Sequence, residues 1–280
     1  MINTINAALT SVSDSLFSLV SNWPPIVVLI VISVLVGVVM AIVFRFTSQQ
    51  RQLRRVADLS RAQVLAIKLF KDDLGNIFVS LGRLFRYTGL RLWYSLPPAL
   101  VMFVPFVLLL IQMARWYEHL PIVPGESAVL EMQLSDGAWP RVADLEVSSS
   151  DEIIVETLPV RDDEEHVVDW RIRAKGSQPA TIQWRLGDER GEKRVTVAHA
   201  KRAFCAVDWR VPGSGWWDRV MNPGERGLAS DSAVQGINLC YIDQQRETPL
   251  LGLNFPWWLT FLIVSMLAAI VVRPLVRVQF

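Results

Sequence analysis

Three stretches of the chain are apolar without a single charge, and quite different patterns lie between them. Ile26 to Phe44 gives 19 such residues, Leu96 to Met113 gives 18, and Phe255 to Val272 another 18. A helix needs roughly 20 apolar residues to cross about 30 Å of hydrocarbon, so each run predicts a membrane-spanning helix once its flanks are added. Pro97, Pro98 and Pro105 punctuate the second run. Because proline removes a backbone N–H, they predict an irregular helix there. Trp23, Trp93, Trp116, Trp257 and Trp258 stand at the ends of the runs, where aromatic belts belong. Three helices buried in a soluble core are the other reading, and the length of the runs argues against it.

Before the first run, Ile5, Leu9, Val12, Leu16, Leu19 and Trp23 recur every three or four residues, the spacing of one helical stripe. Such a helix lies in the outer interface before Pro24 and Pro25 turn the chain into the membrane, or it packs on a neighbour; periodicity does not separate the two. A cleaved signal peptide fits poorly, because no basic segment precedes the apolar run and no small-residue cleavage site follows it. Between the first two spans the pattern predicts two helices, Thr47 to Phe70 and Ile77 to Tyr94, joined by a turn containing Asp72, Asp73, Gly75 and Asn76.

After the second run the period changes to two. Ala128, Leu130, Met132 and Leu134 alternate with polar residues, as do Val168, Trp170, Ile172 and Ala174, and then Ala180, Ile182, Trp184 and Leu186. Half-buried antiparallel strands produce this signature, with turns at Gly176 to Pro179 and Gly187 to Gly191. Five to seven short strands in about 80 residues predict a small immunoglobulin-like or fibronectin-like sandwich with Trp170 and Trp184 in its core. Beyond Lys201 the pattern is irregular; Trp216, Trp217, Val220 and Met221 form a loop suited to a membrane surface, and Val234 to Tyr241 reads as one more strand. The expected fold class is therefore an α-helical membrane protein, three transmembrane helices plus a helical hairpin, with an inserted all-β sandwich. Its segments are an interfacial helix at 1–23, spans at 24–46, 96–114 and 251–273, a basic hairpin at 47–95, the β-domain with its linker at 115–250, and a tail at 274–280.

Charge gives the arrangement a direction. The 280 residues are 51% hydrophobic and 20% charged, with a mean hydropathy of +0.31, too apolar for an ordinary soluble domain and far from a disordered composition. The net charge is only +1, which argues against sequence-specific nucleic acid as a partner. Its distribution is uneven. Residues 45–95 carry ten basic and three acidic residues, +7, whereas 114–254 carry 16 basic and 23 acidic, −7. By the positive-inside rule, 45–95 and the C-terminus are cytoplasmic, and the N-terminus and 115–250 lie outside, in a chain integral to a bacterial inner (plasma) membrane. The basic hairpin residues Arg51, Arg54, Arg55, Arg61, Arg83 and Arg86 enforce this topology. They also suit a ribosome or another polyanion, or anionic headgroups.

Catalytic chemistry is not written in the sequence. Phosphate-loop, dinucleotide, zinc-protease, CxxC and nucleophile-elbow motifs are missing, so the expectation is a protein that is not an enzyme and has no catalytic residue, metal or cofactor. His119, His166 and His199 are scattered, and Asp162 to Glu165 lacks calcium-loop spacing, leaving a solvated turn as the simpler reading. Cys205 and Cys240 both fall outside, where an oxidising compartment permits a disulfide; two separate buried thiols are the alternative.

The segment Phe44–Arg45–Phe46–Thr47–Ser48–Gln49–Gln50 leaving the first span, the Arg-rich helix after it, and Leu96–Pro97–Pro98 to Pro105 in the second span together resemble the YidC/Oxa-type membrane-insertase superfamily. The nearest branch is the three-span one that includes the insertase-like subunit of the ER membrane protein complex. The resemblance covers residues 24–116 and 250–280. It implies a groove open to the cytosol and to lipid, in which a polar stretch of a client crosses with less unsolvated backbone. It also implies that the partners are the bilayer, client membrane proteins, and a ribosome or other membrane-complex subunits. On this reading the groove and client-contact candidates are Ser33, Gly37, Arg45, Gln112 and Ser265. The competing reading is a membrane-anchored scaffold or accessory subunit whose β-domain binds an envelope partner.

Overall fold

A computed structural model describes residues 2–47, 50–69, 74–200, 203–240, 247–250 and 253–276. Six α-helices and eleven strands are described: α1 (Ile2–Leu19), α2 (Pro25–Thr47), α3 (Gln50–Leu69), α4 (Leu74–Tyr117), β1 (Ser127–Leu134), β2 (Leu145–Ser149), β3 (Ile153–Val155), β4 (Val160–Asp162), β5 (Val167–Ala174), β6 (Ala180–Leu186), β7 (Glu189–Val195), β8 (Arg210–Val211), α5 (Trp216–Met221), β9 (Val234–Cys240), β10 (Glu247–Leu250), β11 (Leu253–Pro256) and α6 (Trp257–Val276). They divide into two compact units, one of residues 1–28 and 109–257, the other of 29–108 and 258–280.

Among the described residues, three helices are long and apolar enough to cross a membrane: Pro25–Thr47, Ile77–Tyr117 within α4, and Trp257–Pro274 within α6. The second differs from expectation. Instead of a hairpin helix ending before a separate span at Leu96, α4 runs unbroken for 44 residues through all three prolines, about 66 Å at 1.5 Å per residue. Each proline forfeits one backbone hydrogen bond, and apolar helices tolerate this where neighbouring groups re-satisfy the backbone. Gly75 and Asn76, expected in the turn, belong to the first turn of α4; Asp72 and Asp73 lie outside the described residues.

The β region consists of two antiparallel sheets over one core, and β10 and β11 pair as a separate two-stranded sheet. The larger sheet has the order β3–β5–β1–β9–β8, with β4 also on β5; the smaller has the order β2–β6–β7. Trp170 and Ile172 of β5 and Ile182 and Trp184 of β6 are all buried in the shared core, as the period-two pattern predicts. Leu186 pairs with Glu189, so the hairpin turn is only Gly187–Asp188, tighter than the expected five residues. Gly187 has φ +61°, the left-handed conformation glycine permits. Gly191 is then a strand residue opposite Trp184. A Cβ there would lie 2.7 Å from the Trp184 ring, so glycine makes room for the indole.

The core also reaches further along the chain than residues 125–200. β9 is the inner neighbour of β1, pairing Met132 with Ile237 and Leu130 with Leu239. Val234, Ile237 and Leu239 are buried with the rest. A piece ending at residue 200 leaves β1 with a bare edge, a poor basis for an independent sheet.

Candidate functional site

The small residues of the apolar helices make a packing seam. Ser33 is fully buried, and its hydroxyl donates to the Leu29 carbonyl of its own helix at 2.6 Å. A Cβ on Gly37 would lie 2.3 Å from the Ser265 carbonyl oxygen and 3.0 Å from the Ala268 Cβ. Glycine lets α2 and α6 approach backbone to backbone, as small residues do between apolar helices. The Ser265 hydroxyl donates to the Leu262 carbonyl at 3.0 Å, while Phe106 of α4 packs on Phe261 of α6 with ring centroids 5.8 Å apart. Gln112, the fourth small or polar candidate, belongs to the other unit. It is buried there, and its amide donates to the Thr10 hydroxyl at 3.4 Å. Arg45 is exposed near the end of α2, with its guanidinium 5.9 Å from the Phe46 ring centroid, within cation–π range.

Within the unit formed by 29–108 and 258–280, a cavity of about 460 Å³ is lined by Ala57, Ser60, Arg61, Val64 and Leu65 of α3, Arg91 of α4 and Arg273 of α6. Its lining joins the apolar side chains of Ala57, Val64 and Leu65 with three arginines. The surface ion pair of Arg61 with Asp58, 3.5 Å across one helical turn, is well solvated and weak. Arg55, Arg83 and Arg86 are exposed, whereas the side chains of Arg51 and Arg54 lie outside the described residues. The sequence marks Arg61 as one of many hairpin arginines but does not single out Arg91 and Arg273. The available signal is positional: each is the charge nearest an apolar run on the basic side.

A second polar constellation lies in the unit of 1–28 and 109–257. Arg115, at the end of α4, donates from Nε to Asp208 Oδ1 at 2.6 Å, from Nη2 to Asp208 Oδ2 at 3.1 Å, and from Nη1 to Asp14 Oδ1 of α1 at 2.9 Å. Lys193 of β7, with 0% of its side chain exposed, pairs with Glu225 and donates to the Asp208 carbonyl at 2.5 Å. Burial pushes the Lys193 ammonium below its ordinary range and the Glu225 carboxyl above its own, each opposed by attraction to the other. These partners are 15 to 101 residues apart, so neither spacing nor periodicity points to them. Beside them, Phe17 stacks on Trp116 at 4.9 Å and Phe204 packs on Tyr117 at 5.1 Å. The Tyr117 hydroxyl donates to the Pro25 carbonyl at 2.9 Å. The network is a structural clamp on α1.

The remaining candidates resolve individually. Cys205 and Cys240 are two separate thiols, not a disulfide. Cys240 sits on the exposed side of β9, 3.9 Å from Glu131, whereas Cys205 follows Phe204 of the aromatic cluster. Partial desolvation raises the Cys240 thiol above its ordinary value, and Glu131 adds to this. In the acidic turn, Asp162 Oδ1 accepts from the backbone N–H groups of Glu164 and Glu165. His166 bonds Asp136 at 2.9 Å and stacks on Trp139. Trp216 to Met221, expected as a loop, form the short helix α5, whose Asp218 accepts from Arg210 at 2.9 Å and from the Gly213 N–H at 2.7 Å. Set against known proteins, the chain matches no family model, no curated protein and no solved structure.

Proposed function

We propose that the chain is an insertase-like protein of the inner membrane, assisting the insertion or folding of other membrane proteins without being an enzyme. The cavity of about 460 Å³, lined by three arginines and by apolar side chains, carries this reading. Arg61 lies within, and Arg91 and Arg273 at the ends of, the segments that the positive-inside rule puts in the cytoplasm. A client's acidic or polar tail is drawn to Arg61, Arg91 and Arg273, while its apolar flank rests on Val64 and Leu65. The cations remain at the membrane edge, where long arginine side chains reach water, so a full burial penalty is avoided.

The apolar helices support the same account. Only 22% of the most apolar stretch of the second and third spans, and 33% of that of the first, is buried within the chain. The remainder is available to lipid and to a client helix. On this reading the β region lies outside, the hairpin receives clients from the cytosol or a ribosome, and other complex subunits cover part of the spans.

The seam at Gly37 and Ser265 favours a second reading. Close packing there closes one wall of the expected groove, as it would in a membrane-anchored scaffold whose β region binds an envelope partner. Photo-cross-linking from position 60 or 65 during insertion of a single-span client separates the two. The insertase account expects adducts with the client's polar tail. Adducts only with lipid at both positions would favour the scaffold.

A further inference from the structure

Helix α1 is packed the wrong way round for a soluble protein. Its inward face is largely polar: the Asn6 amide donates to the Arg219 carbonyl at 2.6 Å, Thr10 to the Pro223 carbonyl at 3.3 Å, and Asp14 accepts from Arg115. Phe17 is the apolar exception, held in the aromatic cluster. The stripe formed by Val12, Leu16, Leu19 and, beyond the helix, Trp23 is exposed, Leu19 to 78%. The neighbouring α5 behaves alike. Its Arg219 is consumed by the Gly213 and Leu228 carbonyls, while Trp216, Trp217 and Met221 are exposed. Trp216 and Trp217 pack edge to face with centroids 5.3 Å apart.

We infer that the exposed apolar stripe of α1, together with the tryptophans of α5, is a docking surface for the interfacial layer of a phospholipid bilayer. Two features select lipid as the occupant. Residues 20–24 alone separate α1 from α2, a helix apolar enough to cross a membrane, so the stripe is tethered within a few residues of any bilayer that α2 enters. A cluster of Trp with aliphatic side chains is also the composition that settles at the headgroup boundary. The surface is electrically quiet: α1 carries no basic residue, and its one acidic group, Asp14, is tied to Arg115. It therefore binds zwitterionic lipid as readily as anionic lipid and is indifferent to salt. This needs α2 to cross a bilayer but does not need insertase activity.

The test uses the full chain in zwitterionic phosphatidylcholine vesicles, with Cys205→Ser and Cys240→Ser removing the native thiols. An environment-sensitive fluorophore is attached at Leu16→Cys or Leu19→Cys, and for comparison at Ser11→Cys or Ser18→Cys, which flank the stripe. Labels at 16 and 19 should shift to the blue and be quenched several-fold more by nitroxide-bearing lipid than by aqueous iodide, with labels at 11 and 18 showing the reverse. The pattern should hold between about 0.05 M and 0.5 M salt. Equal iodide quenching at all four positions would overturn the proposal. Shielding of 16 and 19 from both quenchers would overturn it too, indicating a second copy or another protein over the stripe. Trp216→Phe with Trp217→Phe gives an independent check, because it should lower quenching of the intrinsic fluorescence by brominated lipid; unchanged quenching would remove α5 from the surface.

Discussion

Gly37 and Ser265 meet so closely that a methyl group on the glycine would sit 2.3 Å from the serine's carbonyl oxygen. The contact is between backbones, so no side-chain rotation relieves it. Gly37→Ala should therefore destabilise the chain and Gly37→Leu more so, by about 1–3 kcal/mol for overpacking. Unfolding of the detergent-solubilised variants, followed by loss of helical circular dichroism, measures this. A Gly37→Leu chain as stable as the native one would mean that α2 and α6 do not pack here.

The Lys193–Glu225 pair predicts an asymmetry between breaking a buried pair and replacing it. Lys193→Met leaves Glu225 without its countercharge in the interior and should cost about 3–5 kcal/mol, whereas Lys193→Met with Glu225→Met should recover most of the loss. The pH dependence has a definite sign. Burial raises the folded-state pKa of Glu225, so the folded Lys193→Met chain binds a proton more tightly than the unfolded one. Its deficit should shrink as pH falls through that raised value and persist at higher pH. Thermal unfolding between neutral and mildly acid pH, compared with the native chain, reads the difference.

Core residues of the two sheets should respond to truncation alike, whichever part of the chain supplies them. Trp170→Ala should cost about 3–5 kcal/mol and Ile237→Ala about 2–5 kcal/mol, because both are buried in one cluster. Near-UV circular dichroism on heating provides the measurement. A silent Ile237→Ala would show that β9 is not part of the same core.

The orientation also has a direct check. Gly82 is an exposed position where an added Cβ meets nothing within 4 Å, so Gly82→Cys is tolerated, and Ser150 is exposed as well. In a chain lacking its native cysteines, a membrane-impermeant thiol reagent added to intact cells should label Ser150→Cys and not Gly82→Cys. The opposite pattern would reverse the assignment made from charge.

Legibility in the sequence follows the range of the interaction. Trp170 and Trp184 announce their burial because a half-buried strand repeats every two residues, a local rule. The apolar spans are visible for a similar reason. The unbroken course of α4 is hidden because proline usually ends or kinks a helix, whereas an apolar helix tolerates it where neighbouring groups re-satisfy the backbone. Gly191 reads as a turn residue until its cross-strand partner, Trp184, is known. The clamp of Asp14, Arg115 and Asp208 is invisible, since its members are brought together only by the tertiary fold. The cavity lies between these cases: Arg61 belongs to a visible basic helix, but its grouping with Arg91 and Arg273 depends on how three helices meet. The α1 stripe is visible as a period and its exposure is not, because periodicity does not say which face is inward.

The most direct test of the central claim is insertion by the purified full-length chain. A single-span client with a short acidic N-terminal tail is synthesised in the presence of liposomes containing the protein, empty liposomes, or liposomes containing the chain with Arg61→Glu, Arg91→Glu and Arg273→Glu, its orientation verified by the cysteine labelling above. The account predicts that the native chain raises the protease-protected fraction of client well above that of empty liposomes and that the charge-reversed chain loses most of the gain. Equal protection in all three preparations would contradict it.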